Sequence, residues 1–383
     1  MPVDYLIVGA GYAGLVAAER LCNTYGKNCV VVDKRSHIGG NAHDRLDEHG
    51  VLIHPYGPHY FRTNSEEVLA YLGRFTRWIP AQYRVLAHTR GRLWSFPVNL
   101  ETFEQYLGRP SSSEEMSAWL AEHCEVFDEI RNSEEAVLAR FGREFYELFF
   151  EGYTRKQWQR SPRDLHASVC NRIPLRTTRD SRYLSEKHQV LPADGYTRLF
   201  ENLVDACGPR LRILLNTDAR DAIAHIRHRH LLYTGAIDGF FEHRFGPLPY
   251  RSLRFEFEHL PPEQLPGDPS LAIPQGFYQP VVQVNYPGSE PWTRIVETKH
   301  ITGQRVDGST IAREFPQAYG PGMEPYYPIP FSESHALYAR YKAEAEKLEH
   351  VTFLGRLGTY AYLNMDEVTL QALRTVDRLI TGI

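Results

Sequence analysis

Nowhere among the 383 residues does an apolar run approach the roughly 20 residues that a membrane-crossing helix needs. The opening VDYLIVGAG runs a strand directly into a glycine turn. It lacks the basic segment, apolar stretch and small-residue cleavage site of an export signal, so a soluble, cytoplasmic protein is expected. Cysteines are few: Cys22, Cys29, Cys124, Cys170 and Cys207 form no C-x-x-C pair and no metal-ligand spacing, which argues against dithiol redox chemistry and against a structural metal. Charge of one sign is also missing. The 43 basic and 47 acidic residues leave a net charge of −4 without long single-sign blocks, so nucleic-acid binding has no electrostatic support. No Ser/His/Asp constellation is recognisable either.

What is present begins with a dinucleotide signature. Residues 4–8 and 29–33 are short β-branched runs flanking a helical segment, Gly14 to Tyr25, which together predict a βαβ unit. Gly9-Ala10-Gly11-Tyr12-Ala13-Gly14 reads G-x-G-x-x-G between that strand and that helix, the context in which the pattern is informative. Gly9 allows the turn, Gly11 lets the backbone reach a pyrophosphate, and Gly14 allows helix and strand to pack closely, with the helix N-terminus facing the anion. Asp33 ends the second strand, 19 residues beyond Gly14, and is placed to accept the ribose hydroxyls. The following KRSHIGGNA, with Lys34, Gly39, Gly40 and Asn41, favours FAD over NAD as a basic loop and glycine pair beside a flavin. Gly355-Arg356-Leu357-Gly358 offers the distant second contact that so long a cofactor needs.

The length exceeds one ordinary core, so two or three subdomains are expected. Residues 100–150 carry helical spacing with serine caps ahead of acidic first turns in SSSEE. From Ile213 to about Val306, alternating stretches broken by Pro and Gly predict an antiparallel sheet. Residues Glu333 to Leu348 return to helix, and VTFLGRLGTY predicts a last strand entering a glycine turn. The expected architecture is α/β: a Rossmann-like FAD-binding domain with a helical insert and an antiparallel sheet domain. Its first segment, 1–80, is completed by about 190–240 and 330–383; the insert covers 81–175 and the substrate sheet 241–329.

The ordered segments HPYGPHYF, FPVNL, FFEGYTRKQW, NRIPLR, LPYRSL, WTRIVE, EPYYPI and GRLGTYAYLNMD resemble the prokaryotic-type UDP-galactopyranose mutases over essentially the whole chain. That resemblance implies a non-redox reaction on reduced FAD in which flavin N5 attacks the anomeric carbon and displaces UDP. The sugar opens as a covalent flavin adduct and recloses, exchanging pyranose and furanose forms. It also implies an external reductant such as NAD(P)H or a reductase, a homodimer, and a role in cell-surface polysaccharide biosynthesis. Arg172 and Arg294 resemble the diphosphate-stabilising pair, with Arg251 a third cation; guanidinium forks suit phosphate oxygens and do not titrate. Tyr183, Tyr327 and Tyr362 resemble diphosphate-binding phenols. Phe149, Phe150, Tyr153 and Thr154 resemble the uridine pocket, and Trp158 the start of a mobile lid near 158–172. His59 and Tyr60 resemble the loop beside the flavin, and Met365 its neighbour in the C-terminal motif.

Three positions depart from the family pattern. Arg62 stands in place of a second histidine, which resembles members accepting the N-acetylated sugar; Ala361 replaces a cation, and Asn364 a carboxylate. UDP-galactose is the expected substrate, with UDP-N-acetylgalactosamine or a deoxysugar nucleotide as alternatives. A redox flavoenzyme such as an amine oxidase shares the N-terminal motif and is the competing class. A sugar-nucleotide-binding flavoprotein without turnover is a third.

Overall fold

The computed structural model describes residues 3–171, 173–265, 267–320, 322–329 and 332–382. A five-stranded parallel sheet holds the strands in the order Leu211–Leu214, Cys29–Val32, Val3–Val8, His228–Tyr233, Val351–Phe353. Val3–Val8 is central, and Tyr5, Leu6, Ile7 and Val8 are buried on both faces, as an apolar run in a covered parallel strand requires. Crossovers leave it to either side, so the strand order reverses at its carboxyl end. Register places Val8 opposite both Val32 and Tyr233, which brings Gly9, Asp33 and Thr234 to one edge.

All eight residues of the helix Tyr12–Glu19 are buried. The helix lies between this sheet and the helices Tyr196–Cys207 and Met365–Thr381, which explains a segment apolar on every side. Its one charge, Glu19, is 1% exposed and accepts from Tyr71 Oη at 2.6 Å and Arg74 at 2.8 Å.

A seven-stranded sheet forms the second layer, in the order Tyr327–Pro328, Tyr250–Leu260, Ser309–Ala318, Arg294–Glu297, Gln283–Asn285, Val85–Thr89, Arg92–Phe96. Two expectations change here. Alternation from Ile213 was expected to mark the antiparallel sheet, yet Leu211–Leu214 and His228–Tyr233 extend the parallel one; side-chain alternation reports a half-buried face and is silent about the partner strand. The hairpin 85–96, expected within the helical insert, closes the far edge of the antiparallel sheet by pairing parallel to Gln283–Asn285.

The helical block follows as Leu100–Leu107, Ser113–His123, Ser133–Phe145 and Glu151–Trp158. Its caps are local: Asn99 with Thr102 makes a capping box, and Ser112 Oγ accepts from Glu115 N ahead of an acidic first turn. Glu151–Trp158 touches the second sheet through backbone. A Cβ on Gly152 would lie 2.1 Å from the Pro287 carbonyl oxygen, and Lys156 donates to the carbonyls of Tyr286, of Glu290 at 2.9 Å and of Trp292 at 3.0 Å. Burial lowers the Lys156 pKa to about 8.

Gly152→Ala is expected to separate this helix from the sheet and to destabilise by about 1–3 kcal/mol, as overpacking does. The urea midpoint measures it, and an unchanged midpoint would show that the two backbones part freely. A second expectation concerns His54, which is 4% exposed, accepts from the His59 N–H at 3.0 Å, and has its pKa lowered by burial to about 4. The unfolded chain then binds a proton that the native chain refuses between about pH 6.5 and 4, so stability falls as pH falls through that window, by up to about 1.4 kcal/mol per pH unit. Urea titrations across that range should show this slope reduced by about one proton in His54→Gln.

Candidate active site

Three clefts join end to end where the two sheets meet. The first, about 420 Å³, runs along the carboxyl edge of the parallel sheet past Gly9, Gly11, Asp33, Gly39, Gly40 and Gly355. Close backbone approach shapes it: a Cβ on Gly14 would sit 1.9 Å from the Gly9 carbonyl oxygen, and one on Gly40 would sit 2.9 Å from Gly11 Cα. Asp33 is anchored by Ala10 N–H at 2.8 Å and Arg35 N–H at 2.9 Å, leaving lone pairs on both oxygens for a ribose. Lys34 lines the same mouth and pairs with Glu324, which also accepts from Arg35 at 2.9 Å. Asn41, His59, Arg356 and Met365 close the inner end.

The residues fit a flavin dinucleotide. The backbone cradle at Gly9, Gly14 and Gly40 leaves no room for a side chain, and Asp33 keeps free lone pairs, which suits a pyrophosphate and a ribose. His59 Nδ1 lies 2.8 Å from the Gly57 carbonyl, which can only accept, so Nδ1 carries the proton and Nε2 is an acceptor. Burial, then the neighbouring His54, lowers the His59 pKa to about 3, so the ring is neutral at physiological pH.

The second cleft, about 330 Å³, shares Asn41, His59, Arg356 and Met365 with the first, and adds Tyr60, Arg62, Glu186 and Asn364. Arg62 pairs with Glu186 and donates to Asn364 Oδ1 at 3.2 Å. Arg356 donates to the Leu363 carbonyl at 2.6 Å and the Tyr326 carbonyl at 3.1 Å. It has no carboxylate partner among the described residues and lies 5.1 Å and 5.2 Å from the rings of Tyr327 and Tyr362. Those rings stack on each other at 5.3 Å, 16° apart. Burial, then Tyr362, pushes the Tyr327 phenol up to about 12.

Tyr83, Tyr183, Arg294, Tyr327 and Tyr362 are common to the second cleft and the third, a pocket of about 150 Å³. Arg294 Nε donates to Glu314 at 2.8 Å and Nη1 to Gln283 at 3.2 Å. Burial opposes the Arg294 charge, but Glu314 and the surrounding phenols outweigh it and raise the pKa. Arg251 is 4% exposed, and burial lowers its pKa. Its Nη groups donate to the Gln157 carbonyl at 2.9 Å and to Gln159 at 3.2 Å, while Nε has no partner. It thus holds the end of Glu151–Trp158 and keeps its Nε–H free for an anion.

Phe149 and Phe150 line the third pocket yet pack mainly into the helical core, against Trp94, Phe96, Phe141 and Phe145. Tyr153, Thr154 and Trp158 line it from the same helix, with Thr154 Oγ1 3.8 Å from Cys170 Sγ. Arg172 lies outside the described residues. Sequence reasoning missed Tyr83, Gln157, Gln283 and Asn285 in this pocket and Glu186 in the second cleft. Gln283 and Asn285 sit two apart on one strand face, a period-2 signal that VVQVNY carries; Glu186 and Tyr83 carry no local signal.

Comparison with known proteins agrees with this geometry. Residues 148–362 match the family model described as UDP-galactopyranose mutase, and residues 7–75 match an NAD(P)-binding Rossmann-like domain. A probable UDP-galactopyranose mutase of Klebsiella pneumoniae is 36% identical over 99% of this chain and 95% of its own. A dTDP-fucopyranose mutase of Escherichia coli is 33% identical over 96% of each chain. Among solved structures, a reduced UDP-galactopyranose mutase superposes with a TM-score of 0.77 at 16% identity, covering 100% of this chain and 95% of that one. A putrescine oxidase superposes at 0.58 and 12%, covering 100% and 99%; at such identities both matches establish the fold. On the sequence relatives, with the dinucleotide cleft opening into the Arg294 pocket, the chain belongs to the UDP-galactopyranose mutase family and is an isomerase of flavin-dependent type.

Proposed function

We propose that the protein interconverts UDP-galactopyranose and UDP-galactofuranose with FAD held in the first cleft, the sugar in the second and the nucleotide in the third. The observation carrying this reading is the continuity of the clefts through His59 and Arg356 on one side and Arg294, Tyr327 and Tyr362 on the other. Reduced flavin, when bound, supplies a nucleophilic N5 for the anomeric carbon, so the isomerisation consumes no stoichiometric oxidant.

The chain's own residues have three tasks. Arg294, the free Nε of Arg251 and the phenols of Tyr183, Tyr327 and Tyr362 receive the diphosphate, whose charge grows as it departs. Arg172, by its place in NRIPLR, joins them. Tyr153 stacks on the base, and the partnerless buried Gln157 Oε1 suits an imide N–H, a group that uracil and thymine share. Neutral His59 accepts at Nε2 beside the flavin without competing for protons. The lid from Trp158, the homodimer, the cytoplasmic setting, the cell-surface polysaccharide role and the external reductant complete this reading by family likeness. Among the described residues, no helix is long and apolar enough to cross a membrane.

A second reading keeps the reaction and changes the sugar, to UDP-N-acetylgalactosamine or a deoxysugar nucleotide. Arg62 in the sugar cleft favours it, as does likeness to the dTDP-fucopyranose mutase.

The purified protein is expected to release FAD on denaturation and, only after dithionite reduction, to isomerise UDP-galactose anaerobically. Chromatography against UDP-N-acetylgalactosamine and dTDP-fucose identifies the preferred sugar. Equal rates with oxidised and reduced enzyme would refute the flavin-nucleophile reading. Arg294→Lys, which keeps the charge but loses the fork, should lower kcat/KM by roughly 10- to 100-fold, the scale of one or two charge-assisted hydrogen bonds, at unchanged FAD content.

A further inference from the structure

The sugar cleft contains an ion pair that diphosphate binding does not require. Arg62 lies on the strand Phe61–Thr63, which pairs antiparallel with His188–Pro192 so that Arg62 stands opposite Gln189. Glu186 lies just before that second strand and is held firmly. Gln189 Nε2 donates to the carbonyls of Leu184 at 3.2 Å and Glu186 at 3.1 Å, and Lys187 N–H donates to Asn64 at 2.8 Å. The Glu186 carboxylate accepts from Ser185 N–H at 3.1 Å and pairs with Arg62, whose other arm reaches Asn364. Arg62 and Glu186 are 31% and 20% exposed, so both still face the cleft.

This pairing fixes the local charge. Glu186 cancels Arg62, Glu314 cancels Arg294, and His59 is neutral; among the described residues lining this cleft Arg356 alone keeps an uncompensated charge, at the flavin end. What the Arg62 end offers is donors beside carboxylate and amide acceptors. A sugar hydroxyl both donates and accepts, and so is matched by such a set. A sugar carboxylate accepts only, finds its cation already taken, and meets a fixed negative charge.

We propose that Glu186 restricts the enzyme to nucleotide sugars with a neutral hexose and excludes uronates. The inference rests on the proposed nucleotide-sugar reading and goes beyond it by naming the charge class of the sugar and the residue that sets it.

The test compares UDP-galactose, UDP-galacturonate and UDP on reduced holoenzyme, by binding and by turnover, for the native protein, Glu186→Gln and Glu186→Asp. The native protein should bind UDP-galactose at least tenfold more tightly than UDP-galacturonate. Glu186→Gln should shrink that ratio at least tenfold, chiefly by tightening the uronate, and Glu186→Asp should restore it; FAD content reports folding in each. Loss of both sugars in equal proportion in Glu186→Gln, or a native protein indifferent to the carboxylate, overturns the inference. Binding without isomerisation overturns the mutase reading alone, because the binding ratio still decides the role of Glu186. Failure of all three ligands to bind overturns both.

Discussion

Arg294 and Glu314 face each other across neighbouring strands of the antiparallel sheet, and the substrate side of the site depends on that pair. Glu314 is 1% exposed at its side chain and also receives Thr293, so its charge would be costly without the guanidinium. A buried ion pair of this kind is weak evidence for stability, because desolvation offsets much of the attraction. Its effect is positional. With Nε and Nη2 both donating to Glu314 and Nη1 to Gln283, the guanidinium cannot swing, and its remaining N–H groups meet the junction of the second and third clefts. Gln283 in turn receives Tyr83 Oη, so the polar floor of the pocket is one network hung from a single carboxylate.

The cofactor side is held by contact between backbones instead of charge. Gly11 meets Gly40, and Gly14 meets the Gly9 carbonyl, at separations that admit no side chain. Gly40 reaches Gly11 from the loop after the next strand, whereas the Gly9–Gly14 contact is local in sequence, within one strand, turn and helix. For that reason Gly9, Gly11, Gly14 and Asp33 are legible as a dinucleotide signature from residue order alone, and the α/β class follows with them. The serine cap of Ser113–His123 is legible for the same reason, because Ser112 acts on the nearby amide of Glu115.

The remainder depends on register, which local patterns do not carry. Glu314 reaches Arg294 across 20 positions and Glu186 reaches Arg62 across 124. A carboxylate among 47 acidic residues gives no sign of which cation it will meet. The hairpin 85–96 is hidden for a related cause: its partner Gln283–Asn285 lies about 200 residues away, and a parallel pairing leaves no turn to betray it. The clamp that Arg251 makes on Glu151–Trp158 is hidden as well, since its partners Gln157 and Gln159 lie on another element.

The groups lining the second cleft are arranged to keep one charge state. His59 is neutral because burial strips its proton, and Tyr327 stays a phenol because burial and its stacked neighbour oppose ionisation. Arg294 stays charged because Glu314 and the surrounding phenols outweigh its desolvation. A site relying on general acid–base catalysis does the opposite and tunes a carboxyl, imidazole or amine towards the working pH. Lys156 does have a pKa of about 8, but it is committed to three carbonyls of the 286–292 turn and does not line the cleft. A fixed electrostatic frame suits chemistry in which the cofactor provides the nucleophile and the protein receives a departing diphosphate. On the proposed reading, specificity then resides in which charges are cancelled beside the sugar, at the Glu186–Arg62 pair.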